Sequence, residues 1–106
     1  MELEFTNCIA MQVNEPEKAR KYYTEIMGIK FKADENGYPY SKCGALNFFV
    51  GKQNNYIGPV LDFSVEDVEK TRDYLVENGC EVLEWTEDSK FLKDPFGMCF
   101  NLYPKN

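Results

Sequence analysis

Histidine is missing from the sequence altogether. Without it, neither a Ser-His nor a Cys-His catalytic pair can be built, and a metal site cannot draw on imidazole ligands. Basic residues are also in the minority, because 12 Lys and Arg stand against 18 Asp and Glu, which gives a formal net charge of −6. Nucleic-acid binding needs a basic surface that neutralises phosphates. We therefore expect no nucleic-acid partner.

Long apolar runs and closely paired cysteines are absent too. No stretch of the sequence approaches the roughly 18 apolar residues of a membrane-spanning helix, so we expect no membrane partner. The acidic start, MELEFTN, lacks the apolar region of a secretory signal. The four cysteines are scattered and form no Cys-x-x-Cys pair; they are Cys8, Cys43, Cys80 and Cys99. This spacing favours reduced thiols in a cytoplasmic protein.

What the sequence does contain is an internal repeat. VNEPEKARKYYTEIMG, which starts at Val13, and VEDVEKTRDYLVENG, which starts at Val65, match at six of thirteen aligned positions with an offset of 52 residues. Each copy is typical of an amphipathic helix that ends at a glycine, and each helix follows one strand pattern and precedes three more. A repeat of this size indicates two copies of one structural unit.

Local signals define the elements of each copy. In the first, FTNCIAMQV alternates as a strand, Asn14-Glu15-Pro16 supplies a capping side chain and a first-turn proline, and Asn36-Gly37 predicts a hairpin before the last strand, ALNFFVG. In the second, VLDFSV is followed by a helix that Asp67 caps and by CEVLEW, SKFLK and MCFNLY. Asp94-Pro95-Phe96-Gly97 fits a type I turn.

The predicted fold is therefore a single α+β domain over residues 1–106, a length that can bury a real core. Module one spans about residues 1–51, a polar linker spans about 52–59, and module two spans about 60–106. We expect the two tandem βαβββ modules to form a half-open cleft of eight strands, with the helices on the outer face.

Three stretches in this order resemble a known family. MQVNEPEKARKYYTEIMGIKF is similar to the opening module of the glyoxalase/bleomycin-resistance/extradiol-dioxygenase (vicinal oxygen chelate) superfamily. LDFSVEDVEKTRDYLVENGCEVL resembles its second module, and KDPFGMCFNLY resembles its closing Asp-Pro-x-Gly strand. The resemblance implies paired βαβββ modules, a ligand site in the cleft, and a symmetric homodimer.

The resemblance also locates the metal ligands of the metal-dependent members, which carry His, Gln or Glu at four strand positions in the cleft. Here those positions are Cys8, Asn47, Val60 and Asn101. Divalent cations such as Zn²⁺, Mn²⁺ and Fe²⁺ prefer anionic oxygen or imidazole nitrogen, and two amides, a thiol and a valine do not supply these ligands. We therefore expect no bound metal and no other cofactor.

Strand alternation selects the residues that face the cleft. If Ile9, Met11 and Val13 pack under the helix, Cys8 points into the cleft, and the same parity applies to the other strands. Near the end of CEVLEW the parity is ambiguous, so either Glu84 or the Leu83–Trp85 pair faces inward. Asn47 and Asn101 are expected at equivalent places in the two halves. The candidate ligand-binding residues are Cys8, Asn47, Phe49, Asp62, Trp85, Asn101 and Tyr103.

Asp62 is the most informative of these residues, because it interrupts an otherwise apolar strand. It is either a ligand anchor or a carboxylate that is solvated or hydrogen-bonded internally. Trp85 is either a ligand platform or a core or dimer contact, and the two asparagines bind a ligand or satisfy each other and water. Cys8 is more consistent with an inert buried thiol than with a nucleophile, because no histidine can activate it.

Three functions fit these features. The first is a metal-free protein that binds a small organic molecule, with the aromatic residues and Asp62 favouring a neutral or cationic aromatic or amphipathic ligand over an anionic one. The second is a glyoxalase-like lyase or isomerase, or a related enzyme, with a non-standard site or with Asp62 or Glu84 as a base. The third is a non-catalytic, dimeric interaction module.

Overall fold

A computed structural model describes residues 2–54 and 56–105, and this part of the chain contains eight strands and two helices. The chain divides into two compact units. The N-terminal unit comprises residues 7–59, and the C-terminal unit comprises residues 60–105 together with residues 2–6. Each unit has the strand–helix–three-strand order that the repeat predicts, so the predicted α+β fold of two βαβββ modules is confirmed.

The N-terminal unit contains α1 (Pro16–Glu25) and the strands β1 (Glu4–Val13), β2 (Lys32–Ala33), β3 (Pro39–Cys43) and β4 (Leu46–Lys52). Its strands lie in the order β2-β3-β4-β1, with β1 and β4 parallel. Pro16 opens the helix as expected, but no side chain caps it, so the predicted capping side chain is wrong. A first-turn proline has no N–H to satisfy, and its fixed φ favours the start of a helix.

The C-terminal unit contains α2 (Val68–Glu77) and the strands β5 (Gly58–Val65), β6 (Glu81–Trp85), β7 (Lys90–Lys93) and β8 (Cys99–Pro104), in the order β5-β8-β7-β6. The Asp67 side chain accepts a hydrogen bond from the Lys70 amide at 3.0 Å, which confirms the predicted cap. The core of this unit is a buried cluster against which residues of α2 pack; it consists of Val65, Leu92, Phe100 and Leu102.

The first residues of β1 belong to the C-terminal unit and not to the module in which the sequence places them. Leu3 packs against the buried cluster, and the Phe5 and Phe63 ring centroids lie 5.9 Å apart. The Lys105 ammonium donates to Glu4 Oε1 at 2.8 Å. β1 passes from one unit to the other at Asn7, which has a positive φ of 65°. Asparagine tolerates this left-handed conformation better than most residues.

Both units contain the same kind of turn, which in each case joins a strand to the next strand in the sequence, and those two strands pair with each other. Asp34 Oδ1 accepts hydrogen bonds from the amides of Asn36 and Tyr38, at 2.9 and 2.8 Å. Asp94 Oδ1 accepts from the amides two and four residues ahead of it at the same distances. A glycine with positive φ follows in each case, at positions 37 and 97. The hairpin at Asn36-Gly37 is thus built on Asp34, because an aspartate side chain mimics the backbone of a turn.

Candidate functional site

Asp62 lies near the middle of β5, on the face of the C-terminal sheet opposite α2. Farther along the strand, Val65 belongs to the buried cluster under the helix and Phe63 packs against that cluster, so alternation turns Asp62 and Ser64 the other way. Only 8% of Asp62 is exposed. We call this side of the sheet the Asp62 face, defined by Asp62, Ser64, Phe91, Cys99, Asn101 and Tyr103.

Asn101 is the polar partner of Asp62. The two residues are in register on the neighbouring parallel strands β5 and β8, and Asn101 Nδ2 donates to Asp62 Oδ1 at 3.0 Å. Asn101 is buried as well. The sequence therefore correctly places both residues on the same face, and the structure brings them into direct contact.

The surroundings of Asp62 disfavour its charged form. Burial raises the pKa of its carboxyl group from 3.8 to about 6, against the smaller opposite effect of the Asn101 hydrogen bond. A carboxyl group with this pKa is still roughly nine-tenths ionised at pH 7. Asp62 thus holds a negative charge, at neutral pH, in a place where that charge is poorly solvated.

A strip of side chains runs across the sheet from Asp62. Asn101 is in register with Phe91 on β7, and Phe91 with Glu84 on β6. Side chains in register on adjacent strands share a face. The strip therefore consists, in order, of a carboxylate, an amide, an aromatic ring and a second carboxylate. An irregularity between Val82 and Glu84 makes Leu83 the extra residue of a bulge and turns Glu84 onto the Asp62 face.

Trp85 does not join that face. It packs against the buried cluster on the helix side, with the Arg72 guanidinium 4.8 Å and the Lys90 ammonium 5.6 Å from its ring centroid. Trp85 thus has two cations close to its ring, one of them from α2. The inward position that alternation left open at the end of this strand belongs to Glu84.

A surface pocket of about 600 Å³ adjoins the strip. It is lined by Thr6, Ser64, Tyr103, Pro104 and Lys105. Ser64 and Tyr103 are in register and lie two residues beyond Asp62 and Asn101, which is about 6–7 Å along the strands. Tyr103 is 43% exposed, so part of its side chain faces solvent at this pocket. The hydrogen bond to Glu4 raises the pKa of Lys105, whose ammonium is thus already engaged at the rim.

The remaining predicted residues lie in the N-terminal unit. Cys8 and Asn47 are in register on β1 and β4, on the face opposite α1. Phe49 lies on the same face, and its ring stacks on Tyr40 with centroids 5.8 Å apart. This face also carries Lys42, in register with Asn47, and Lys32, 5.6 Å above the Tyr40 ring.

Sequence analysis places neither of these two lysines on this side of the strands. Alternation by itself assigns faces only within a strand whose limits are known. The two lysines lie on β2 and β3, and their side is set by the register of a hairpin that starts at Asp34.

Asn47 and Asn101 are not at equivalent places, so that prediction is wrong. Val13 pairs with Lys52, and Val65 pairs with Pro104. Val65 lies 52 residues after Val13 and Pro104 lies 52 residues after Lys52, so one offset relates both strands of the first pair to those of the second. By this offset the counterpart of Asn47 is Cys99, and the counterpart of Asn101 is Phe49. Because side chains repeat every two residues along a strand, a slip of two leaves every face unchanged and is invisible in the pattern.

The donor chemistry of these positions does not fit a metal ion. In the C-terminal unit Asp62 offers one carboxylate beside the Asn101 amide, and in the N-terminal unit Cys8 lies beside the Asn47 amide. Within residues 2–54 and 56–105, no group of three or more Cys, Asp or Glu side chains could hold a metal ion. The family's metal chemistry therefore has no support from these residues.

The described residues settle two further points. The four cysteines form no disulfide. Neither of the two helices is long and apolar enough to cross a membrane.

Comparison with known proteins identifies the family. A model of the Glyoxalase/Bleomycin resistance protein/Dioxygenase superfamily matches residues 6–102, whereas no curated protein matches the chain. Among solved structures, the chain is similar to a glyoxalase/bleomycin resistance protein/dioxygenase superfamily member from Vibrio splendidus 12B01, with a TM-score of 0.57, 11% identity, and coverage of 98% of this chain and 100% of that one.

Two further structures have the same fold. A hypothetical protein from Bacillus halodurans C-125 has a TM-score of 0.57 and 14% identity over 99% of this chain and 94% of its own. Homoprotocatechuate 2,3-dioxygenase from Brevibacterium fuscum has a TM-score of 0.57 and 16% identity over 99% of this chain, which spans 37% of the dioxygenase. The family match covers nearly the whole sequence, and this chain belongs to the glyoxalase/bleomycin resistance protein/dioxygenase superfamily.

Proposed function

We propose that this protein binds a small organic molecule without a resident metal ion, and that the ligand is a neutral or cationic aromatic or amphipathic compound held at the Asp62 face. The observation that carries the proposal is the buried carboxylate of Asp62. Its charge is poorly solvated, so it costs folding free energy. A group kept at such a cost is typical of functional sites.

The neighbouring pocket supplies what a ligand needs besides charge. Ser64 and Tyr103 line it, and the exposed part of the Tyr103 ring offers an aromatic surface. Small-molecule sites combine apolar walls with a few convergent polar groups. A ligand lying on Tyr103 would reach Asp62 along the strand with a polar or positively charged group. Attraction to an aromatic ring adds about 0.5–2 kcal/mol for a cation.

The preference for a neutral or cationic ligand is argued from the charged residues of the C-terminal unit. Asp62 and Glu84 flank the strip across its sheet, and Lys105 at the pocket rim is paired with Glu4. Lys32 and Lys42 belong to the N-terminal unit, where Lys32 lies above the Tyr40 ring. We also propose that the protein works in the cytoplasm, since its four cysteines form no disulfide.

A thermal-shift screen with matched naphthalene derivatives tests the proposal. The amine 2-naphthylmethylamine and the alcohol 2-naphthylmethanol are expected to raise the melting temperature, whereas 2-naphthoate is not. The amine should stabilise more than the alcohol at pH 7.5, because Asp62 is then ionised. Elemental analysis of the same dialysed protein should give well under one metal ion per chain.

The matched variants are Asp62→Asn, which removes the charge, and Asp88→Asn, which removes an exposed charge from the same unit. Asp62→Asn should abolish the advantage of the amine over the alcohol, and Asp88→Asn should preserve it. Stabilisation by 2-naphthoate alone would contradict the proposal. One tightly held metal ion per chain would replace it with a metal-dependent activity.

The raised pKa of Asp62 also favours a second function. A carboxylate with a pKa of about 6 is a better general base at neutral pH than an ordinary aspartate. Asp62 could then remove a proton from a bound ligand in a reaction that needs no metal. Turnover of a bound compound, lost in Asp62→Asn, would distinguish this enzyme from a binding protein.

A further inference from the structure

Two side-chain oxygens of the Asp62 face have no hydrogen-bond donor among residues 2–54 and 56–105. Asn101 Nδ2 donates to Asp62 Oδ1, which leaves Asp62 Oδ2 and Asn101 Oδ1 as open acceptors. In the same part of the chain, every side-chain nitrogen or oxygen that is sealed from solvent has a hydrogen-bond partner. The two oxygens are therefore not sealed, although Asp62 and Asn101 are only 8% and 9% exposed.

The two open acceptors restrict the group that a ligand brings to this place. They belong to two side chains that are in register on neighbouring strands and are joined by one hydrogen bond, so they form one small polar patch. A primary ammonium carries a positive charge and three N–H donors, whereas a hydroxyl has one donor and a quaternary ammonium has a charge and no donor. Of these groups, only the primary ammonium matches both acceptors and the charge of Asp62.

The surface pocket beside the strip fixes where the rest of the ligand lies. Thr6 lines this pocket, and its hydroxyl donates to the backbone carbonyl oxygen of Asp62 at 3.0 Å, so the pocket directly adjoins Asp62. Tyr103 lines the pocket two residues beyond Asn101, which is about 6–7 Å along the strand. An extended chain of three methylene groups covers roughly this distance between an aromatic ring and an amine nitrogen.

Building on the proposed function, we propose that the ligands of the Asp62 face are primary arylalkylamines. The ring lies against Tyr103 in the pocket, and the ammonium donates hydrogen bonds to Asp62 Oδ2 and to Asn101 Oδ1. Asn101 then determines specificity, because its oxygen accepts an N–H that a quaternary ammonium lacks. A site with buried acceptors rejects an analogue without donors, since those acceptors are left unpaired.

Calorimetric titration with a matched series of amines tests this assignment. 3-Phenylpropylamine and its N,N,N-trimethyl derivative carry the same charge at pH 7.5 and differ in their N–H donors. The trimethylated compound is expected to bind the wild type at least tenfold more weakly. Benzylamine keeps the ammonium but is too short to place its ring on Tyr103, so it should also bind at least tenfold more weakly than 3-phenylpropylamine.

Asn101→Leu tests the second acceptor. Leucine fills a similar volume but offers no oxygen, so the preference for the primary over the trimethylated amine should fall at least threefold. Asn78→Leu makes the same substitution at an exposed position of the same unit, and it should leave this preference within about twofold of the wild-type value. An unchanged preference in Asn101→Leu, or an equal loss in Asn78→Leu, would overturn the assignment to Asn101.

The Asp62→Asn variant separates this inference from the proposed function. If no amine binds the wild type more tightly than it binds Asp62→Asn, the proposed function itself fails. If the primary and trimethylated amines bind the wild type equally and both depend on Asp62, the charge is recognised without the N–H donors. That result would overturn the assignment to primary arylalkylamines and leave the proposed function standing.

Discussion

Replacing Asp62 with asparagine is expected to stabilise the folded protein by roughly 2–3 kcal/mol at pH 8 and to change its stability little at pH 4. The folded-state pKa of about 6 lies above the value of 3.8 for a solvated aspartate. A shift of this size corresponds to about 3 kcal/mol between the protonated and the ionised forms. Asparagine removes the buried charge, and its side-chain oxygen can still accept the hydrogen bond from Asn101 Nδ2.

The direction in which Asp62 changes the folding stability with pH follows from proton binding. Between pH 3.8 and about pH 6 the folded state holds the Asp62 proton and the unfolded state has released it. The contribution of Asp62 to stability is therefore present in full below pH 3.8 and is lost as the pH rises through 6. Urea unfolding of both proteins from pH 4 to pH 8 measures the difference.

Asp88→Asn serves as the control, because Asp88 is exposed in the same unit. It should change the free energy of unfolding by less than about 0.5 kcal/mol at either pH. An Asp62→Asn protein that is less stable than the wild type at pH 8 would mean that the carboxylate makes a favourable interaction, and its burial would then need no functional explanation.

The second large effect is expected in the core of the C-terminal unit. Phe100 is 2% exposed, belongs to the buried cluster, and makes an edge-to-face contact with Phe63 at 5.9 Å between centroids. Phe100→Ala should cost about 3–5 kcal/mol, from lost apolar burial and from the cavity left behind. Small domains are stable by only about 5–15 kcal/mol, so the variant should melt at least about 12 °C lower or fail to fold.

Phe96→Ala is the matched control for this change. Phe96 lies in the turn before β8 and is 95% exposed, so truncating it removes the same atoms without opening a cavity. Its melting temperature should lie within about 3 °C of the wild-type value. Equal effects of the two substitutions, measured by thermal unfolding, would show that the cluster around Phe100 is not the core of this unit.

The repeat made the fold predictable from the sequence. Two helices with matching charged and apolar positions can be recognised without knowing their contacts, because each carries its own periodicity and its own stop at a glycine. The cap at Asp67 and the turn at Asp94 are likewise local, since the bonds they make reach at most four residues along the chain. Features of this kind depend on neighbours in sequence and can be read from it.

The alternation of side chains along a strand does not predict register, that is, which residues of neighbouring strands pair. The wrong equivalence of Asn47 and Asn101 is a slip of two residues, which keeps every side chain on its face. The bulge at Leu83, by contrast, shifts the strand by one residue, and this placed Glu84 on the Asp62 face and Trp85 under α2. No local signal in CEVLEW marks that bulge, because it is fixed by pairing with β7.

The Asp62 site itself was half predictable. A carboxylate in an apolar strand can be identified in the sequence, and so can its face. The contact with Asn101 and the degree of burial depend on which strand lies beside β5, and that strand is 39 residues away in the chain. The raised pKa of Asp62 follows from this burial. Only the structure therefore indicates that the charge of Asp62 costs folding free energy.

Calorimetric titration with 2-naphthylmethylamine, performed from pH 5 to pH 8 on the wild type and on Asp62→Asn, tests most directly whether Asp62 anchors a ligand. The wild-type affinity should rise about tenfold as the pH passes through 6, because the amine remains protonated and Asp62 becomes ionised. The affinity of the variant should be lower at pH 8 and independent of pH. Binding to both proteins with the same affinity at every pH would contradict the central role assigned to Asp62.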